Sequence, residues 1–261
     1  MSNDNSLLQS AAKFAIHKIL IKSISTLVLF ISIISPASAQ WFSNPALNAI
    51  NLDVNWSSFR NSVRNQSTSQ SGGKRGSQIS PVVTSSDAKK LSFRVSKSQR
   101  KANLALFVRQ SRELNPAVGD QLEALVNSVD IFGEFSKALT PLGLQVNNVG
   151  DVYALWWMNS WLASRGRNDN PSRTQIQAVK RQVARAMLSS SQFTGMTDAQ
   201  KQQIAEALLL QAALTDAAVT QAKSNPSELR AVTISVKQGA REAGIDLDTI
   251  NLTNNGFVPI K

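Results

Sequence analysis

The sequence predicts an all-α fold, a compact bundle of about six helices that follows a signal peptide and a flexible basic arm. From about residue 91 onwards, apolar side chains recur at the three- and four-residue spacing of a helix. Residue pairs that begin helices, such as Asn followed by Pro, stand between these segments. No stretch alternates apolar and polar residues over the length of a competing strand. We therefore predict helices near 97–113, 117–139, 148–165, 171–189, 198–223 and 226–243.

The first 39 residues have the three parts of a secretory signal peptide. A basic stretch at 13–22 precedes an apolar run at 24–34, and Ala37-Ser38-Ala39 supplies the small residues that a signal peptidase requires. The alternative is an uncleaved membrane anchor, but the run is shorter than the roughly 20 residues that cross a bilayer as a helix. We expect a periplasmic or extracellular chain that begins at Gln40 and has no transmembrane segment.

Cleavage would also change the chemistry that is open to the chain. It would remove the only histidine, His17, and the sequence contains no cysteine. Ser-His-Asp and Cys-His catalysis, zinc sites built from His and Cys, and disulfides are then excluded. No Walker-type glycine loop is present, and Asp246 and Asp248 have too few neighbouring oxygens to suggest a Ca²⁺ site. We expect no metal, no cofactor and no enzymatic activity.

Two segments precede the helical domain, which is expected over residues 91–261. Residues 40–59 hold apolar side chains without a regular period, and we interpret them as an extended arm that either packs on the domain or docks a partner. Residues 61–90 are rich in Ser, Gln, Gly and Lys, with too few apolar side chains to offset the entropy of an ordered chain. We therefore interpret 40–90 as an apolar arm and a disordered linker.

Positive charge is concentrated along the chain. After cleavage, 25 Lys and Arg stand against 16 Asp and Glu, and residues 60–112 hold twelve basic residues and one acid, Asp87. A second basic group lies on the helix predicted at 171–189, where four-residue spacing places three arginines on one face. The candidate anion contacts are Arg94, Lys97, Arg100, Lys101, Arg173, Arg181 and Arg185.

These basic residues have three interpretations. They could follow a nucleic-acid backbone, form a solvated face that serves solubility, or contact anionic material of the cell envelope. The solvated face is the simplest interpretation of the stripe at 171–189. For an exported chain, lipopolysaccharide, phospholipid headgroups and acidic glycans are nearer targets than nucleic acid, which we disfavour as a partner.

Several helix boundaries can be predicted from local chemistry. Asn115-Pro116, Asn170-Pro171 and Asn225-Pro226 each offer an Asn N-cap followed by Pro at the first helical position. Thr197 begins a capping box that ends at Gln200. The sequence Gly244-Ile245 is typical of a Schellman stop.

The helix predicted at 148–165 is apolar nearly all round, which is typical of a buried helix. Its aromatic side chains are Tyr153, Trp156, Trp157 and Trp161. Aromatic residues at helical spacing usually pack in a core. A ligand-binding pocket and a homo-oligomer interface remain alternatives for this cluster.

Carboxylates are the main acid/base groups left in the exported chain. A glycosidase-type site would need two of them to face each other across a cleft. The candidates are Glu134, Asp151 and Glu206. Asp151 falls in the first turn of its helix, where a carboxylate also stabilises the free N–H groups, so capping is an ordinary role for it.

Short motifs that suggest a family are spread from residue 143 to residue 257. They are Gly143-Leu144, Asn147-Asn148-Val149-Gly150-Asp151-Val152-Tyr153, Trp161, Gln182-Val183, Lys201-Gln202, Glu206, Gly244-Ile245-Asp246-Leu247 and Leu252-Thr253-Asn254-Asn255-Gly256-Phe257. With these motifs, the region 97–258 resembles an uncharacterised family of exported, mainly proteobacterial proteins, a domain of unknown function. The resemblance implies a helical fold, export and a Gram-negative source, and it supplies no catalytic residues. The region 40–90 is expected to lie outside the shared part.

The sequence therefore predicts an exported, envelope-associated helical binding protein whose basic arm contacts anionic surfaces. Its partners would be anionic envelope components or another envelope protein, and a homo-oligomer is also open. The alternative function is a carboxylate-dependent hydrolase of an envelope glycan.

Overall fold

The computed structural model describes residues 85–260 and has a helical fold with one small sheet, which confirms the predicted class. The predictions for 1–84, namely the signal peptide, the arm and most of the linker, lie outside the described residues. The helices are α1 Ser85–Lys90, α2 Lys97–Leu114, α3 Pro116–Ser128, α4 Ile131–Leu139, α5 Val149–Ala163, α6 Arg173–Leu188, α7 Ser191–Thr194, α8 Asp198–Ala222 and α9 Pro226–Glu242. The strands are β1 Ile250–Thr253 and β2 Gly256–Pro259, and single 3₁₀ turns occur at Thr140–Leu142 and Leu247–Thr249.

Most of the predicted helix boundaries are confirmed. The Asn115 side chain accepts hydrogen bonds from the N–H groups of Ala117 and Val118, and Pro116 is the first residue of α3. Asn225 caps α9 in the same way. Thr197 and Gln200 form the predicted capping box of α8. These caps satisfy N–H groups that a helix cannot pair internally.

Two predicted boundaries were wrong. Helix α6 begins at Arg173, because Ser172 and Gln175 form a capping box and displace the predicted Asn170-Pro171 start. The helix predicted at 117–139 is two helices, because the Asp130 side chain accepts a hydrogen bond from the N–H of Gly133 and begins α4 there. The helical period of apolar residues continues across 117–139 and predicts one helix, but an Asp N-cap within this segment starts a second helix.

The chain also ends in a hairpin that was not predicted from the sequence. Strands β1 and β2 pair antiparallel, with Leu252 opposite Phe257 and both side chains buried. Gly256 follows the turn with a φ of 97°, which a residue without a Cβ adopts at little cost. Each strand has only four residues, too short for alternation to be visible in the sequence.

Helix α5 lies at the centre of the bundle. It packs against α8 on one side and α6 on the other, while α2 packs on α8. The side chains of α5 are buried almost all round, as its sequence predicts. These four helices therefore follow one another in the order α2, α8, α5, α6. In this row, α2 and α6 are the outer helices, and α8 and α5 lie between them.

One end of the bundle gathers elements that are distant in sequence. The segment of residues 91–96, which we call the strap, joins α1 to α2 across this end. Its Leu91 and Phe93 bond through the backbone to Val149 and Asn147 at the start of α5. Lys201, near the start of α8, also bonds to the strap, and α1 packs on α6. The starts of α2, α5 and α8 therefore meet here.

None of the helices within residues 85–260 is both long and apolar enough to cross a membrane.

Candidate anion-contact surface

The strap is fixed to the domain by its own apolar side chains and by α8. Leu91 and Phe93 are buried in the core. The Gln202 amide, which is fully buried, donates to the carbonyl of Ser96 and accepts from its N–H, each at 2.9 Å. The Lys201 ammonium bonds to the carbonyl oxygens of Lys90 and Ser92. These contacts set the position at which the preceding basic sequence reaches the domain.

Arg100 is not a free anion contact, which corrects its assignment from the sequence. Its Nε donates to Glu206 Oε1 at 2.8 Å, and the Glu206 side chain is only 2% exposed. The guanidinium also lies over the ring of Phe132, 4.5 Å from its centroid. Asn103 donates to the other carboxylate oxygen at 2.7 Å. The charge of Arg100 thus compensates a buried carboxylate and joins α2 to α8.

Arg94 lies on the surface of the strap, where it pairs with Asp198 at the start of α8. Its Nε is 3.4 Å from Asp198 Oδ2, and the side chains are 97% and 44% exposed. An exposed pair of this kind contributes about 0–1 kcal/mol. The pair therefore adds little to stability, and the exposed guanidinium of Arg94 still contributes its charge to the surface.

Lys97 and Lys101 are exposed and make no ion pair within residues 85–260. Lys97 is the first residue of α2, and the first turn of this helix holds no acidic residue. Because the start of a helix carries a partial positive charge, a cation there is unfavourable and an acid is favourable. An acidic residue at position 97 would therefore stabilise α2 more than the lysine that is found there.

The three candidate arginines of α6 do not all lie at the end of the bundle that the strap crosses. Lys180 bonds to Asp151 in the first turn of α5, which places Arg181 and Arg185 towards the end that the strap crosses. Arg173 is at the other terminus of this 16-residue helix, about 12 Å from Arg181 and about 18 Å from Arg185 along its axis. Arg173 must therefore be removed from the set.

We define the basic end by the candidate cations that remain once Arg100 and Arg173 are removed, together with one lysine that was not among the candidates. That residue is Lys89, exposed in the last turn of α1, within a segment that we had interpreted as linker. The spacing of Asp87 and Lys90, which form an i,i+3 ion pair, was the available sign of a helix there. The basic end consists of Lys89, Arg94, Lys97, Lys101, Arg181 and Arg185.

The acids near this end are already paired. Asp87 contacts Lys90, Asp198 contacts Arg94, and Glu206 contacts Arg100. Asp151 accepts from the Lys180 ammonium and from the N–H of Gln145, each at 2.9 Å. The exposed lysines of the basic end are thus left without neutralising partners among the described residues.

The three carboxylates considered for hydrolysis are each held by a different cation. Glu134 contacts Lys137, Asp151 contacts Lys180, and Glu206 contacts Arg100. Burial raises the pKa of Asp151, and the hydrogen bond from Lys180 opposes that rise. Each carboxylate therefore takes part in an ion pair within the described domain.

The aromatic cluster of α5 is part of the core, so it offers no surface to a second copy. Tyr153, Trp156, Trp157 and Trp161 are at most 6% exposed. Trp157 packs on Phe257 of the hairpin, with ring centroids 4.4 Å apart. The predicted core role is confirmed, and an interface built on these four side chains is excluded by their burial within the chain.

The other end of α5 is held by Arg165 and the hairpin. Trp161 Nε1 donates to the carbonyl of Ile250 at 3.0 Å, and the Arg165 guanidinium lies 4.0 Å from the Trp161 ring centroid. Arg165 also donates to the carbonyls of Leu247 and Ile250. Burial lowers the pKa of Arg165 from its usual value. This half-buried arginine anchors the C-terminal segment.

The described part of the chain contains no group of three or more His, Cys, Asp or Glu side chains that could hold a metal ion.

Comparison with known proteins gives one match. The family described as "Family of unknown function (DUF6683)" matches residues 21–259. The predicted resemblance to an uncharacterised family is confirmed, but its extent was wrong, because the match includes the 40–90 region that we expected to lie outside it. No curated protein and no solved structure matches the chain.

Proposed function

The chain belongs to this family of unknown function, and from its surface we propose that it is an exported binding protein that contacts anionic surfaces of the cell envelope. The contact would be made by the basic end of the domain together with the basic sequence at 60–84. No catalytic step is part of this proposal.

The observation that carries the proposal is the placement of Lys97 and Lys101 in the first two turns of α2. No acid accompanies them in the first turn, and no carboxylate pairs with them within residues 85–260. Lys97, in the first turn, opposes the helix dipole by about 0.3–1 kcal/mol, and this effect falls off towards Lys101 in the second turn. A residue that opposes a local structural preference, with no compensating contact inside the fold, is a candidate for a functional role.

The entry point of the preceding chain supports the same surface. Residues 60–84 contain four basic residues, Arg60, Arg64, Lys74 and Arg75, and no acid. This sequence joins the described domain at α1, which packs on α6 at the basic end. The preceding basic sequence therefore adjoins the basic end along the chain, and both carry positive charge. Together they enlarge the positive field that an anionic surface would experience.

The experiment is a salt titration of binding. The purified exported chain is mixed with vesicles of a neutral phospholipid, with and without an anionic phospholipid or lipopolysaccharide, and the bound fraction is measured by sedimentation. We expect binding to anionic vesicles at low salt that weakens steeply as salt is raised, because screening shortens the reach of surface charges. Equal binding to neutral vesicles, or no binding at low salt, would contradict the proposal.

A further inference from the structure

We infer that the partner of the basic end is an anionic phospholipid leaflet, on which the domain docks end-on and responds to surface charge density, not to the chemistry of a headgroup. This inference rests on the proposed function and adds a partner, an orientation and a rule of recognition to it.

The lysines of the basic end are spread over two helices and do not converge on one point. Lys89, Lys97 and Lys101 come from α1 and α2 and are exposed, with no hydrogen bond to a common side chain among the described residues. A discrete phosphate is normally held by several donors that converge on it, often including a bidentate arginine. Lysine ammonium groups act as mobile point charges without such geometry. The basic end therefore has the chemistry of a charged face without a shaped phosphate site.

Two arginines at this end already donate hydrogen bonds within the domain. Arg94 already contacts Asp198, and the Nε of Arg185 donates to the carbonyl of Arg181 at 3.3 Å. In both residues, one of the guanidinium N–H groups that would bind two oxygens of a phosphate is therefore already used. Their charges still add to the field of the basic end, because neither contact buries the guanidinium.

The long helix α8 provides an axis along which the orientation of the domain can be defined. Asn103 of α2 bonds to Glu206 of α8, which places the exposed Ala102 beside that level of the bundle. Ser224 lies 18 residues beyond Glu206, just after the end of α8, and is exposed. At 1.5 Å per residue, the two positions are about 27 Å apart along α8. If the basic end faces the leaflet, Ala102 lies near the lipid and Ser224 lies far from it.

The absence of cysteine from the sequence allows this geometry to be measured directly. The variants Ala102→Cys and Ser224→Cys each carry one thiol, which is labelled with a fluorophore. Labelled chains are bound to phosphatidylglycerol vesicles that contain a nitroxide-headgroup lipid, which quenches only at close range. We expect strong quenching at position 102 and little at 224. Equal quenching at both positions would refute end-on docking.

The recognition rule is tested with two headgroups at matched charge. Vesicles with the same mole fraction of phosphatidylglycerol or phosphatidylserine are titrated with the unlabelled chain, and inorganic phosphate is added as a soluble competitor at constant ionic strength. We expect affinities that agree within about threefold and no displacement beyond that of an inert salt. A tenfold preference for one lipid, or displacement by the soluble phosphate at low concentration, would overturn the rule.

These outcomes are distinguishable from failure of the proposed function. Binding that is salt-sensitive but specific for one headgroup, or side-on, contradicts this inference and leaves anionic-surface binding in place. Absence of binding to every anionic vesicle contradicts both.

Discussion

The substitution Lys97→Glu should stabilise the domain and weaken its binding to anionic vesicles at the same time. Lys97 is the first residue of α2, and the first turn of that helix has no acid. Removing the cation and adding a carboxylate both favour the helix dipole, each by about 0.3–1 kcal/mol. A net gain of about 1 kcal/mol would raise the melting temperature of a domain of this size by about 2–4 °C.

The expected loss of binding follows from the same change of charge. A cation near an anionic leaflet contributes about 1 kcal/mol, and Lys97→Glu changes the charge by two units. The loss is then about 2 kcal/mol, or roughly 30-fold in affinity. High salt should reduce this difference, because it screens the field of the leaflet.

Arg173→Glu is the matched control. Arg173 is also exposed, is also the first residue of its helix, and also has no acid in the first turn. The charge change is identical, but Arg173 lies at the opposite terminus of α6 from the basic end. We expect a similar rise in melting temperature with less than about a threefold change in affinity.

The assays are thermal unfolding followed by circular dichroism and vesicle sedimentation at low and physiological salt. If Lys97→Glu and Arg173→Glu weaken binding equally, the binding depends on net charge alone and the basic end has no special role. If Lys97→Glu lowers the melting temperature, the argument from the helix dipole is wrong.

Three further predictions concern the interior. Glu206→Gln should cost about 3 kcal/mol in urea unfolding, because Arg100 loses the carboxylate that compensates its partly buried charge. Gln182→Leu should cost about 3 kcal/mol and speed hydrogen exchange in the hairpin, because Phe257 loses the partner of both its backbone groups. The pKa of Asp151 is raised above 3.8 by burial, so the folded state holds this proton more tightly than the unfolded state. As pH falls through the interval between the raised pKa and 3.8, the stability of the wild type should therefore rise relative to that of Asp151→Asn. The prediction is contradicted if the difference between their free energies of unfolding stays constant, or changes in the opposite direction, between pH 7 and pH 4.

Local chemistry was sufficient to predict much of the fold. The caps at Asn115, Thr197 and Asn225 each depend on a few neighbouring residues, so the sequence contains the whole interaction. The buried helix α5 was also predictable, because an apolar side chain on every face leaves no side for water. Where one local signal competed with another, as at Asp130 and Ser172, periodicity or the Asn-Pro pair was given too much weight.

The distribution of charge could not be predicted in the same way. Arg100 and Glu206 are 106 residues apart, and Arg94 and Asp198 are 104 apart, yet each pair is in contact. The sequence showed a basic segment, while the fold neutralises part of it with acids from α8. Only the fold separates the cations with internal partners from those without, such as Lys97.

The motifs that suggested the family proved to include contacts between side chains and backbone. The Gln182 amide bonds to both backbone groups of Phe257, and the Gln202 amide does the same for Ser96. Each glutamine holds a segment that would otherwise leave backbone groups unpaired. These motif residues therefore account for the fold, and the candidate contact surface lies mainly outside them.

The central claim, that one end of this bundle binds anionic surfaces, is tested most directly by two triple variants with the same charge. The first variant removes three exposed cations from the basic end and is Lys89→Gln/Lys97→Gln/Lys101→Gln. The second removes three exposed cations from the termini of α6, α8 and α9 that lie away from the basic end, and is Arg173→Gln/Lys223→Gln/Arg230→Gln. Binding of each to phosphatidylglycerol vesicles is measured as a function of salt. The account predicts at least a tenfold loss of affinity and a shallower salt dependence for the first variant, and near wild-type binding for the second. Equal losses in both variants would contradict it.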